Sequence, residues 1–309
     1  MAVDLMDKSR GPGGRLASKR VDGGSVDVGA QYFTIRDARF QQFLHEYAGP
    51  DAFAPWAGTL LHEAEPGMPE PWQGSERYVG TPRMTAISRA LSAHVSGTWE
   101  TRADQVHGHP GDLWIRDTQG HDHGPFDRVV ITAPPAQARD LVRADHTAVA
   151  TLQDYEMHAT WAVAVRFPEP LRLSFDAMGL KDPTLGWVAR DASKPGRKAG
   201  EWWVLHATSD WSEAHRDDDS DTVIEALLAV FGERFGLEPV ADQTLAHRWL
   251  YARPASSSQP GYLALESQGL AFCGDWLNGG RVEGAWQSAR DLLEHWQNQL
   301  DPETGSLLS

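Results

Sequence analysis

Two carboxylates stand at the ends of short apolar runs and are followed by glycines. Asp7 comes after Ala2–Met6 and before Gly11-Pro12-Gly13-Gly14-Arg15. An acidic residue at the end of a strand in a dinucleotide fold accepts hydrogen bonds from ribose hydroxyls. Consecutive glycines let backbone approach a pyrophosphate, and an adjacent arginine offers a bidentate cation. Asp275 ends the run Leu270-Ala271-Phe272-Cys273-Gly274 and precedes Gly279-Gly280-Arg281-Val282-Glu283-Gly284-Ala285. There a buried strand delivers a carboxylate suited to polyol hydroxyls. The helix that follows opens with free N–H groups and a positive dipole end, which favour an anion or an electron-rich carbonyl. Read singly, each pattern is equally a turn or a helix cap; together they point to nucleotide-type chemistry.

Trp249 and Tyr251 are two apart in a strand-like stretch and share a face. They are candidates to wall a flat substrate, with Trp187, His206 and Gln31 as further pocket residues. His107, His109, His121 and His123 form two His-x-His pairs beside a hairpin, read as exposed loop histidines, so no metal is expected. Cys273 lies inside an apolar strand and reads as a small buried hydrophobe. Asp217-Asp218-Asp219 reads as a solvated lead-in to a helix. No Ser- or Cys-based nucleophile pattern is present, and no general acid or base is assigned.

The elements that must position these groups are legible in part. Val129–Ala133 is a buried strand stopped by Pro134-Pro135. Val106 and Leu113–Arg116 read as hairpin strands, and Trp161–Phe167 and Trp202–Ala207 as strands. Helical spacing recurs at Phe40–Tyr47, Met84–Val95 and Val223–Phe235. It is cleanest in Val282, Ala285, Trp286, Ala289, Leu292, Leu293 and Trp296. From about residue 50 to 82 the chain is rich in Pro, Gly and Trp with no clear period. Strands alternating with helices at both ends, around a mixed middle, indicate an α/β fold with a second domain inserted into the first.

Composition sets the outer bounds. The 309 residues carry 28 Lys and Arg against 43 Asp and Glu, a formal charge of −15. That disfavours nucleic acid and anionic membrane surfaces, which need gathered cations. A single cysteine rules out an internal disulfide. No apolar run approaches a membrane span and no signal peptide opens the chain, so a cytoplasmic protein is expected.

The stretches Asp7–Arg15, Asp27–Thr34 (Asp-Val-Gly-Ala-Gln-Tyr-Phe-Thr), Leu185–Arg190, His247–Pro254 and Gly274-Asp275 with Val282–Ala285 resemble the flavin amine oxidase superfamily. Within it, the likeness is to the bacterial renalase-like proteins, in order from residue 3 to about 297. The resemblance implies an FAD-binding Rossmann-like domain of residues 1–48, 98–140 and 256–300. A substrate domain with a mixed or antiparallel sheet would take 49–97 and 141–255, leaving 301–309 as a polar tail. It implies FAD contacts at Asp7, Lys8, Gly13, Gly14, Arg15, Gly29, Ala30, Val106, Gly274, Asp275, Val282, Glu283 and Ala285. By position, Asp7 would take the adenosine ribose and Arg15 the pyrophosphate region. Gly29 and Ala30 would pass the isoalloxazine, Val106 would clip the adenine, and Val282 would meet the pyrimidine edge of the flavin.

One part of the family pattern is not found. A strand and Gly-x-Gly-x-x-Gly turn belongs about 20 residues before the ribose-binding acid, which here falls before residue 1. The expectation is a longer reading frame upstream, or else a remnant that binds FAD poorly. The activity implied is an oxidase taking hydride from a C–H next to nitrogen in a dihydronicotinamide-type donor, with O2 reduced to H2O2. Oxidation of a small amine is the alternative within enzymes, and a non-catalytic remnant the alternative outside them.

Overall fold

The computed structural model describes residues 2–198, 200–255 and 258–300; the polar tail 301–309 lies outside them. The chain divides into two compact units, Met1–Gly11 with Gly97–Met157 and Arg253–Ser309, and Pro12–Ser96 with His158–Ala252.

In the first unit, strand Val129–Ile131 lies parallel to Leu270–Cys273, which pairs antiparallel with Tyr262–Leu265. The short strand Asp4–Met6 pairs with Ser96–Thr98 in a separate ladder. The strands of this unit therefore fall into separate hydrogen-bonded pieces, and Val3 and Val130 are exposed. Helix Val282–Leu300 packs on the Leu270–Cys273 strand through Leu292 and Trp296, which meet Ala271, Cys273, Tyr262 and Ala264. Its apolar stripe at helical period is why it docks there. A three-stranded antiparallel meander, Ala103–His109, Asp112–Asp117 and Asp122–Phe126, completes the sheets of this unit.

The second unit is built on a seven-stranded sheet. Its order is Gln243–Pro254, Met157–Phe167, Glu201–Ala207, Leu185–Arg190, Ala177–Gly179, Leu60–Glu65 and Met68–Pro71. Alternation splits its residues between two faces. Val163, Val165, Leu205 and Val188 meet Val223, Leu227 and Phe231 of helix Ser220–Phe235. On the other face Ala162, Ala164, Trp202 and Val204 pack against Val26 and Val28, with Leu245 and Trp249 alongside. The small side chains at 162 and 164 let the segment after hairpin Ser18–Val21/Gly24–Asp27 lie close to the sheet.

Residues 12–48, assigned by resemblance to the FAD-binding domain, thus pack by contact with the second unit. The segment 50–82, without period in the sequence, holds strands Phe53–Pro55, Leu60–Glu65, Met68–Pro71 and Arg77–Gly80. The last of these, Arg77–Gly80, is the middle strand of a three-stranded sheet, pairing with Phe53–Pro55 on one side and Phe33–Thr34 on the other.

Candidate functional site

In the first unit, Asp7 sits half-buried beyond its strand. Its Oδ1 accepts the Ser9 N–H at 2.7 Å, an Asx turn that fixes the carboxylate. Its backbone bonds Thr98 and Thr101. Lys8 is exposed, its Nζ 3.5 Å from Gln137 Oε1. Val106 is buried, on the edge strand of the meander, where one side of the backbone has no strand partner.

Gly274 has φ +155, and its N–H donates to Ser288 Oγ at 2.8 Å. Asp275 follows, buried, opening a 3-10 turn whose first carbonyl accepts from Asn278 and Gly280. Gly280, at φ +67, lets this turn reverse against Pro254. A Cβ on Gly284 would lie 2.1 Å from Asn278 O, so the start of helix Val282–Leu300 rests directly on the turn that carries Asp275. Glu283 is buried at this end, and the Ala285 N–H already bonds Arg281 O. Trp276 is buried, and its indole N–H has no acceptor among the described residues.

In the second unit, Gly13 and Gly14 both have positive φ, +147 and +48, and Arg15 donates from Nη1 to Ala252 O at 3.1 Å. Gly29 has a local reason to be glycine. A Cβ there would lie 2.0 Å from Arg15 O, because the Gly14–Ala17 turn hydrogen-bonds back onto Gly29 and Ala30.

The substrate-pocket candidates fall differently. Trp187 and His206 are cross-strand partners, and the row continues through Gly179 and His62 on one side and Ala162 on the other. Trp249 joins the same face, its indole N–H donating to Val28 O at 2.9 Å, and by alternation Tyr251 faces that way as well. His247, edge-on to Trp249, is pushed down to about 4 by burial and by Lys19, so it is neutral at pH 7. Gln31, by contrast, is only 5% exposed. Its amide donates to Asp27 O and Gly29 O, and its Oε1 accepts from Lys194. Through these bonds it braces the 27–31 backbone.

Behind Gln31 lies an ionic cluster that the sequence analysis did not find. Lys194, fully buried, bonds Gln31 Oε1 and Asp191 Oδ1 at 3.0 Å each and lies 3.5 Å from Asp27 Oδ2. Asp27 also pairs with Arg197 and accepts from Ser18 Oγ and the Met84 N–H. Burial alone would raise the Asp27 carboxyl; Lys194 and Arg197 more than reverse this and hold it below the ordinary carboxylate value. Burial raises the Asp191 carboxyl, and Lys194 only partly offsets it. The charged partners of Asp27, Lys194 and Arg197, lie more than 160 residues away, so no local pattern marks the cluster.

The histidine pairs are tied to carboxylates, His107 to Asp122 and His121 and His123 to Asp117. Cys273 is buried, and burial pushes its thiol up to about 11, which makes it inert.

The donor set fits a dinucleotide. It offers two fixed carboxylates at strand ends for hydroxyls, an open helix N-terminus and an orphaned indole N–H beside Asp275. In the second unit, Gly14 adds backbone with open space around it, next to Arg15 in the chain. A Rossmann-like unit with these groups defines an FAD-dependent oxidoreductase. A model of the flavin containing amine oxidoreductases matches residues 73–291, and one of NAD(P)-binding Rossmann-like domains matches 1–47. The chain belongs to the flavin containing amine oxidoreductase family.

Solved structures share the fold at low identity. A protein from Exiguobacterium sp. 255-15, provisionally named a protoporphyrinogen oxidase, superposes with a TM-score of 0.73 at 12% identity, over 96% of this chain and 93% of that one. The fatty acid isomerase of P. acnes that produces CLA gives 0.69 at 10%, over 94% and 92%. A triple mutant of putrescine oxidase gives 0.66 at 10%, over 95% and 93%. Those names span different chemistries, so the fold does not specify the substrate.

Proposed function

We propose that this protein is an FAD-dependent oxidase of the renalase-like type, oxidising a planar dihydronicotinamide-type donor. When bound, FAD would supply a two-electron acceptor for hydride, with O2 as the terminal oxidant and H2O2 as its product. Asp7 and Asp275 would hold hydroxyls of the cofactor, Val106 would meet the adenine from its edge strand, and Val282 would meet the flavin ring at its helix start. Gly13, Gly14 and Arg15 would cradle the pyrophosphate, and Gly29 and Ala30 would pass close to the ring.

The observation that carries this reading is the sheet face bearing Trp187, His206, Trp249 and Tyr251. It is rich in aromatic rings and presents no carboxylate among these residues. His247 beside Trp249 is neutral, so the wall adds no charge of its own where an uncharged planar ring would stack. A donor that releases hydride from an electron-rich ring needs no protein base. The wall's task is to stack the ring and exclude water.

The test begins with purified chain incubated with FAD and desalted. A retained flavin absorbance is expected, and Asp275→Ala is expected to weaken FAD affinity at least about tenfold, as loss of charge-assisted hydrogen bonds does. Anaerobic bleaching by dihydronicotinamide isomers, followed by H2O2 on admitting air, supports the proposal. Bleaching by small amines alone would replace it with an amine oxidase. A colourless protein after FAD incubation would overturn it for this chain.

A further inference from the structure

Arg77 is a buried cation with no counter-ion. It is 8% exposed, yet no carboxylate lies within ion-pair distance among the described residues. Among the described residues its side chain makes one hydrogen bond, a long one of 3.4 Å from Nη1 to Ser75 O, and its Nε–H is buried with no acceptor. The guanidinium instead lies over two rings, 4.3 Å from the Trp72 centroid and 5.4 Å from that of Tyr32. Buried charges are ordinarily paired, because desolvating one without a partner is costly. Cation–π contact offsets only part of that cost.

The same rings gather a second orphan. Trp187 is 7% exposed, and its indole N–H has no acceptor among the described residues. Tyr32, Trp72 and Trp187 are mutually in contact, with centroids 5.5 to 6.0 Å apart. Gly179, the cross-strand partner of Trp187, makes this possible. The Trp72 ring lies over it, 3.2 Å from where a Cβ would be. Two desolvated N–H donors, one of them cationic, thus share one aromatic cluster, and both call for the same chemistry.

We propose that Arg77 and Trp187 form an anchoring subsite for an anionic oxygen group, carboxylate or phosphate, borne by a planar substrate whose ring packs on Trp72 and Tyr32. This deepens the reading above and rests on it in one respect, that Trp187 faces the substrate. The arginine fork and the indole N–H bind the anion, and the rings bind the plane. An alkylammonium ligand would meet like charge there.

Calorimetric titration of the full chain with benzoate, phenyl phosphate, benzamide and benzylamine tests the subsite without turnover. Benzoate or phenyl phosphate is expected to bind, and the stronger of the two identifies the anion. Arg77→Met is expected to weaken that anion by about tenfold or more, the loss typical of a charge-assisted hydrogen bond. Neutral benzamide, of the same shape, should change by less than about threefold.

Should Arg77→Met fail to fold by circular dichroism, Arg77→Lys and Trp187→Phe take its place. Each should weaken the anion selectively, the first because an ammonium lacks the fork and the second because phenyl lacks the N–H. The proposal is overturned if neither anion binds at millimolar concentration, if benzylamine binds more tightly than both, or if these variants weaken benzoate and benzamide equally. FAD uptake, read by absorbance on the same samples, separates the two readings. Anion binding without flavin leaves the subsite standing and removes the oxidase. Flavin uptake without anion binding does the reverse.

Discussion

Lys194 shows what a single buried cation holds in place. Its three N–H groups reach Gln31, Asp191 and Asp27, and Gln31 passes the constraint to the carbonyls of Asp27 and Gly29. Replacing Lys194 with Met keeps most of the volume and removes the charge. Asp27 would retain Arg197, but Asp191 would lose its ion-pair partner while remaining buried. Removing one member of a buried pair costs about 3–5 kcal/mol, and that is the expected loss in urea unfolding at pH 7. The sign with pH follows from Asp191. A carboxyl whose folded pKa is raised contributes stability below its unfolded value and loses it as pH rises through the folded one. Lys194→Met raises that carboxyl further, so its deficit should shrink toward acid pH, where Asp191 is protonated. A deficit that is constant from pH 7 to 4, or absent, would show that the cluster does not brace residues 27–31 electrostatically.

At the scale of elements, Gly284 decides how the last helix meets the turn that carries Asp275. Alanine usually stabilises a helix over glycine by up to about 1 kcal/mol. Here the new Cβ would meet a backbone carbonyl that cannot swing aside. Gly284→Ala is therefore expected to destabilise by about 1–3 kcal/mol, as overpacking does, and to weaken FAD retention as the Asp275 turn shifts. Gly11→Ala is the control, since a Cβ there meets nothing within 4 Å. Equal stability of the two variants would sink the argument.

This helix, like strand Met157–Phe167, was legible in the sequence because one packing face repeats along it at a fixed period. The strands between residues 50 and 82 were not. Most are short, and prolines and half-exposed edges blur the alternation that marks a strand. Trp72 and Arg77 were hidden with them. Trp187, His206 and Trp249 could be proposed from residue type alone, but their common face depends on a register that only the paired strands define. The hold on Gln31 was hidden as well, because its amide is bonded by Lys194 from 163 residues away.

At the scale of the whole molecule, pH acts through opposed charges. The chain carries a formal charge of −15 at pH 7, so mild acidification should relieve self-repulsion. The paired carboxylates Asp117 and Asp122 are held below their ordinary value, Asp122 at about 2 by Arg116 and His107. Their contribution is therefore kept until pH falls below about 4. His247 works in the opposite direction and over a different window. Its folded value is about 4 against 6.5, so between those limits the unfolded chain binds a proton that the folded one does not. Stability from this group is complete above pH 6.5, falls as pH drops toward 4 and changes no further below. His247→Phe keeps an aromatic ring beside Trp249 and removes the titration. The wild type should therefore lose more Tm than His247→Phe between pH 6.5 and 4, with the two running parallel from pH 7 to 8. Parallel curves across the acid window would mean that His247 takes up its proton in the folded protein, and that the aromatic wall is charged rather than neutral in mild acid.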